Sequence, residues 1–339
     1  MSNTSQSANI KNKALSLGYD LCGITSVDLV KEYASQLDER IQSFPESRKL
    51  YEDLYSMAFP EKKHQWAKSI IVCIRRFGKY SIPKELDKLI GKTFLVDGRL
   101  KYSKEYSHMQ EFEGYLDELG FKAAYSIVPA RLSAVSAGLG HIGKNNFLYT
   151  KYGSWVSIDT WVIDRELDYD EPTRSLNCPE GCTRCIDACP TKALSGPLSM
   201  NWSKCIAHLT CSSDLHLQSD KLKAEMGPWV YGCDVCQNVC PRNKNKWEDK
   251  EAFIDLNDIA PYISLESIWE MEEQTFLELI QPRFWYIEKD ELWLWKCNAL
   301  RAMANSGEEK YHEYIKDATK HSNSNIRSIA AWACTKLGI

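Results

Sequence analysis

The sequence predicts an α/β sandwich followed by a cysteine-built insert and a short helical tail. Three observations carry that prediction. Helical and extended patterns alternate up to about residue 170, and eight cysteines fall in two matched groups within 171–245. From about residue 246 the pattern turns helical. A chain of 339 residues is long enough for more than one core.

Each element follows from its local pattern. In "SANIKNKALSLGYDLCGIT", Ile10, Ala14 and Leu17 share one helical face, Gly18 ends the helix, and "YDLCGIT" reads as a strand. "AKSIIVCIRRF" is a β-branched apolar run and a second strand. "KEYSHMQEFEGYLDELGFKAAYSIVP" reads as a helix, a break at Gly120 and a strand, and "GSWVSIDTWVID" alternates as a further strand. The tail segments "LWLWKCNALRAMANSG", "EEKYHEYIKDATKHS" and "NSNIRSIAAWACTKLGI" are short helices of helical-repeat size. At most two units fit, so the stub must cap on the rest of the protein.

Hydrophobic content of 44% and charged content of 26% are those of a globular protein. The polar beginning "MSNTSQSANIKNKALSLGYD" has no leader pattern and no run of about 18 apolar residues occurs, so a cytoplasmic protein with no membrane span is expected. A net charge of -4 gives no global case for nucleic acid and leaves only a local basic face.

Thirteen cysteines in a cytoplasmic chain point to metal rather than disulfides. "CPEGCTRCIDACP" supplies Cys178, Cys182, Cys185 and Cys189. "YGCDVCQNVCPRN" supplies Cys233, Cys236 and Cys240, with Cys205 upstream, and both groups end in Cys-x3-Cys-Pro. In the bacterial two-cluster ferredoxin pattern the last cysteine of each run serves the other cluster. This predicts two 4Fe-4S clusters, one on Cys178, Cys182, Cys185 and Cys240, the other on Cys205, Cys233, Cys236 and Cys189. Two structural zinc sites are the other use of eight thiolates, but zinc knuckles have no need of the Cys-Pro endings. The Cys178-x3-Cys182 spacing is one residue longer than usual. Cys22, Cys73 and Cys334 sit in apolar runs and read as small core residues, with Cys211 a reserve ligand.

"RLSAVSAGLGHIGKNNFLYTKYGSWV" lacks the dinucleotide fingerprint. Its glycines suit either a tight structural turn or close backbone approach to a large flat ligand, with Lys144, Asn145, Gly153 and Ser154 as polar contacts.

"AGLGHIGKNN…YGSWV", "CTRCIDACPTKAL", "CIAHLT" and "YGCDVCQNVCPRN", in that order, resemble the epoxyqueuosine reductase family, cobalamin-dependent iron–sulfur enzymes distantly related to reductive dehalogenases. The resemblance spans nearly the whole chain and includes "KEYSHM" and "NIRSIAAWACTKLG". It implies a nitroreductase-like cobalamin-binding sandwich (1–170), a ferredoxin-like double-cluster domain (171–245) and a HEAT-like helical domain (246–339). It further implies a base-off corrinoid between the first two, reduced by the clusters. The positions similar to the corrin lining are Gly140, His141, Lys144, Asn145, Leu148, Gly153, Ser154, Trp155, Ile158, Ile206, Ala207 and His208. An external electron donor such as ferredoxin or flavodoxin follows from the same resemblance.

Two departures shape the functional expectation. The family's acid position falls on Ala124, while the basic partner remains as Arg131, which makes Tyr125 the nearest proton donor or else a core aromatic. The segment corresponding to the family's basic tRNA-binding stretch reads "RFWYIEKDELWLWKCNAL", with only Arg283, Lys289 and Lys296 basic. It follows a stretch that is mostly acidic: residues 250–291 hold eleven acidic and three basic residues. The expectation is therefore a reductase acting on a small molecule rather than tRNA. The alternatives are a tRNA epoxyqueuosine reductase with an altered donor, and a non-catalytic electron-transfer or corrinoid-handling protein. The aromatics between Phe284 and Trp295 read as helix-packing core or as base-stacking surfaces.

Overall fold

The computed structural model describes residues 3–173, 178–196 and 198–339. Helix α1 (Asn3–Ser16) leads into strand β1 (Leu21–Ser26), α2 (Tyr33–Ser43) and β2 (Ser69–Arg76). Helix α3 (Lys104–Glu118), β3 (Ala123–Tyr125) and α4 (Ala130–Ser136) follow. A small hairpin of β4 (His141–Ile142) and β5 (Leu148–Tyr149) precedes β6 (Val156–Ile163). The main sheet has the order β1-β2-β6-β3 with every neighbour antiparallel, and Cys22 faces Cys73, which in turn faces Asp159.

Strand β2 is apolar along its length because both sheet faces are covered. Ile71 and Cys73 with Trp161 and Ile163 pack under α1 and α3, through Ile10, Ala14, Phe112 and Leu116. Ile70, Val72, Ile74 and Val162 pack on the opposite face against Leu132 and Ala134 of α4. The period of two thus distributes one apolar run between two cores.

Beyond the sheet, one-turn helices α5 (Arg184–Asp187), α6 (Ile206–Leu209) and α7 (Val235–Asn238) carry the cysteine segments. They are followed by α8 (Leu265–Glu270), α9 (Leu292–Ser306), α10 (His312–Ala318) and α11 (Ser324–Leu337). Helix α9 is buried nearly all round, and its core runs through Trp229, Tyr231, Phe276 and Phe284 to Phe77, Leu86 and Ile90. Its buried polar arms bind the cysteine region. Arg301 donates to the carbonyls of Gly227 and Trp229, and Asn298 Nδ2 donates to Thr210 O at 2.8 Å. The helical stub is therefore capped by the rest of the chain, since unpaired buried donors would otherwise destabilise it. Trp295 is part of this core and stacks on Phe284, whereas Tyr286 is 48% exposed. Among the described residues no helix is long and apolar enough to cross a membrane.

Candidate active site

The cysteines come together in the crossed arrangement. Cys178, Cys182, Cys185 and Cys240 line one small cavity, and Cys189, Cys205, Cys233 and Cys236 border a second, larger one. Burial pushes the Cys185 thiol up, reinforced by Cys240 and Cys178. Burial likewise raises Cys233 and Cys236, with Cys205 and Cys189 adding to both. Four thiolates brought together repel one another unless metal charge compensates them, which suits an iron–sulfur cluster at each group. The Ala193 amide donates to Cys189 Sγ at 3.3 Å, a bond of the kind that stabilises cluster sulfur. Cys211 borders the larger cavity with its thiol pushed up by burial to about 11.

The larger cavity, of about 350 Å³, is bounded by Arg131, Asn145, Asn146, Ile206, Ala207 and His208 as well as the second thiol group. It shares Arg131, Asn146, Met200 and Trp202 with a neighbouring cavity of about 270 Å³ that also touches Tyr33, Arg40 and Ser126. Ser126 in turn borders a third cavity of about 200 Å³, lined by Arg75, Asp97, Arg99, Glu105, Tyr125 and Asp159. Shared wall residues thus set three cavities side by side, from the second thiol group to a polar chamber.

Asn146 is the feature the sequence reading missed. It is 6% exposed, adopts φ 65°, and neither Oδ1 nor Nδ2 has a hydrogen-bond partner. Asparagine tolerates this left-handed conformation better than most residues, and the second Asn of "GKNN" was the available signal. A buried amide with donor and acceptor both unpaired is costly unless a ligand completes it. The amide-bearing rim of a corrinoid offers that complement, so the residues present fit the group. Arg131 lies beside it, its guanidinium donating to Asn146 O and its pKa lowered by the surrounding protein although the side chain faces the open cleft.

The other positions expected around the corrin divide into two sets. Asn145, Ile206, Ala207 and His208 line the large cavity, and Ile158 borders the polar chamber. Lys144 instead turns to the first thiol group, donating to Cys182 O at 2.8 Å. His141 stacks on Tyr149, and Gly140 lets the backbone pass close to Tyr149 O, where a side chain would collide. Leu148 and Trp155 are core. Gly153 (φ 77°) and Ser154 meet the cysteine region: Asn243 Oδ1 accepts from Ser154 N at 2.8 Å, and Ser154 Oγ donates to Gln237 Oε1 at 2.8 Å. This motif fastens the sheet to the cluster-bearing segments. Asn145 bridges the same seam, its Nδ2 donating to Cys236 O at 3.1 Å and to Tyr149 Oη at 2.9 Å.

In the polar chamber, Ala124 leaves no acid at its position, but Asp159 was hidden one strand away. Its Oδ1 accepts from Tyr125 Oη at 2.7 Å and its Oδ2 from Tyr19 Oη at 3.0 Å. Burial raises the Asp159 pKa against the lowering effect of those two hydroxyls. Tyr125 is raised too, by burial first and then by Asp159, so it keeps its proton at neutral pH. Arg99 closes one wall, paired to Asp97 at 2.6 Å. The charge inside "SIDTWV", at a strand position facing the helices α1 and α3, was the sequence signal for Asp159.

Two four-thiol groups, one of them bordering the cavities that lead toward a polar chamber, mark the chain as an iron–sulfur oxidoreductase. A family model described as a 4Fe-4S double cluster binding domain matches residues 177–243. The chain belongs to the epoxyqueuosine reductase family. It is 33% identical over 284 residues to an epoxyqueuosine reductase of Cyclobacterium marinum, covering 79% of this chain and 87% of that one. A second, from Leadbetterella byssophila, is 31% identical across 70% of this chain and 80% of its own. In fold the chain is similar to a crystal structure of epoxyqueuosine reductase with an epoxyqueuosine-modified tRNA stem loop, with a TM-score of 0.77. That match has 23% identity and covers 99% and 91% of the two chains.

Family membership corrects the expectation of a small-molecule substrate in place of tRNA. That expectation rested on charges counted along linear stretches and on the alanine at position 124. Arg283 is buried, donating to Leu95 O and Ile254 O, which lowers the surface charge of its stretch further, so the correction rests on family membership. The arginines that border these cavities, Arg40, Arg75, Arg99 and Arg131, come from separate segments that a linear count does not group.

Proposed function

We propose that this protein acts in the cytoplasm as a cobalamin-dependent reductase of epoxyqueuosine carried on a tRNA stem loop, with Tyr125 in place of the missing acid. The observation that carries the reading is the adjacency of three cavities that share wall residues. Electron-carrying thiol sites lie at one end and a protonated phenol at the other, joined through Arg131, Asn146 and Ser126.

A corrinoid bound in the cleft supplies a redox-active cobalt able to deliver electrons to carbon. Asn146 would hold one of its amide arms through both unpaired atoms, Ile206 and Ala207 would meet its apolar face, and Arg131 would stay close to the Asn146 backbone. The cleft walls restrict water around the reacting group. Opening a carbon–oxygen bond leaves charge on oxygen, and Tyr125 is the group on this wall with a proton to give. Its hydroxyl turns from Asp159 toward the substrate, and Asp159 with Tyr19 holds the ring in place between turnovers.

The test is anaerobic reconstitution with iron, sulfide and cobalamin, followed by incubation with tRNA carrying epoxyqueuosine. Conversion of the modified nucleoside, abolished in Tyr125→Phe, supports the reading. Failure of a fully loaded protein to convert that tRNA overturns it.

A further inference from the structure

Two of the five cysteines outside the cluster groups form a pair of their own. Cys22 on β1 and Cys73 on β2 are direct cross-strand partners, with Sγ atoms 3.5 Å apart. Val27 N donates to Lys68 O across the same ladder, and neighbouring pairs alternate between bonded and non-bonded types. Counting from Val27–Lys68 makes Cys22–Cys73 a non-hydrogen-bonded pair. Pairs of that type hold Cα atoms about 4.5 Å apart, inside the span a disulfide bridges. The two side chains lie on the same sheet face, under α1 and α3. Cys22 is half-buried and so reachable, while Cys73 is fully buried.

We propose that Cys22 and Cys73 are a reversible redox site, closing to a cross-strand disulfide when a low-molecular-weight disulfide such as oxidised glutathione accumulates. Cys22, the accessible thiol, attacks the reagent disulfide, forming a mixed disulfide and releasing one glutathione thiolate that takes up the Cys22 proton. Cys73 then attacks the Cys22 sulfur, and the second glutathione leaves with the Cys73 proton. Two protein thiols are oxidised and one glutathione disulfide is reduced to two thiols. Burial keeps the Cys73 thiol high, which orders the steps with Cys22 first. The sulfurs need to close from 3.5 Å to about 2.05 Å, a movement within reach of side-chain rotation.

The position gives the bond a consequence. Cys73 is also the direct partner of Asp159 on β6, the carboxylate that holds Tyr19 and Tyr125. Oxidation therefore fixes the β2 position that faces Asp159. The pair stands apart from the eight cysteines of the cluster groups, which coordinated iron protects from exchange.

The experiment equilibrates the iron-loaded protein anaerobically in glutathione buffers of increasing oxidised fraction, then blocks free thiols by alkylation and maps peptides by mass. The expected result is a linked peptide joining Cys22 and Cys73, lighter by two hydrogens than the dithiol. It should revert with dithiothreitol and form with iron content unchanged. Cys73→Ser should instead accumulate Cys22 as a glutathione mixed disulfide, and Cys22→Ser should leave Cys73 unmodified. Recovery of both as free thiols at every buffer ratio, or of Cys22 glutathionylated without the link in the unaltered protein, overturns the proposal. The readout needs neither corrinoid nor tRNA turnover.

Discussion

The Tyr125 hydroxyl donates to Asp159 Oδ1 at 2.7 Å, across the β3–β6 strand pair. Ala124 faces Val162 on β6, whereas Tyr125 reaches back along the same strand to Asp159. A carboxylate on β6 thus fixes the orientation of the Tyr125 hydroxyl, the proton donor proposed above.

Replacing Tyr125 with Phe should leave folding intact and lower kcat by about 10²- to 10⁴-fold, the range of a lost general acid. Asp159→Asn should cost less, because the phenol proton remains and only its orientation suffers. Steady-state kinetics on both variants, with iron and corrinoid content matched, checks the order of the two effects.

Asp159 also predicts a pH signature in stability. Its carboxyl pKa is raised in the fold, so the folded state binds that proton more tightly than the unfolded chain does. The stabilisation is fully present below the ordinary carboxylate range and is lost as pH rises through the raised value. The melting temperature of the unaltered protein should therefore fall relative to that of Asp159→Asn as pH rises from about 3.9 toward neutrality. Thermal unfolding of the metal-free protein across that range measures it.

Asn146→Gly should keep the left-handed backbone while deleting the unpaired amide. The metal-free protein should be no less stable, while corrinoid affinity should fall by about 5- to 100-fold, the loss of one or two neutral hydrogen bonds. Titration of cobalamin followed by absorbance gives the ratio directly.

Cys189→Ser and Cys182→Ser separate the two thiol groups despite their closeness in sequence. Each should lower the iron content from about eight to about four atoms. Only Cys189→Ser should disturb the site bordering the corrinoid cleft, because Cys189 lines that cavity and Cys182 does not. Iron analysis combined with cobalamin titration distinguishes them.

Much of this was legible from residue order because the deciding signals are local. The helix–Gly18–strand start, the β2 run and the strand containing Asp159 each show their period within a dozen residues. The crossed cysteine sets are a reading of the spacing, and Cys189 borders the same cavity as Cys205, Cys233 and Cys236. What stayed hidden depends on tertiary geometry. Asn146 is informative only because nothing pairs with it, and Asp159 only because two tyrosines from distant segments converge on it. "YGSWV" was expected at the corrin, but Ser154 is committed to Gln237 and Asn243 in the seam beside it.

The most direct test of the central claim is single-turnover conversion of epoxyqueuosine-bearing tRNA by the anaerobically reconstituted protein. The quantity measured is the modified nucleoside after digestion. The account predicts conversion that requires both iron and cobalamin, and that falls by at least about 10²-fold in Tyr125→Phe. Conversion at an undiminished rate in Tyr125→Phe, or none by a protein holding its full iron and corrinoid, would contradict it.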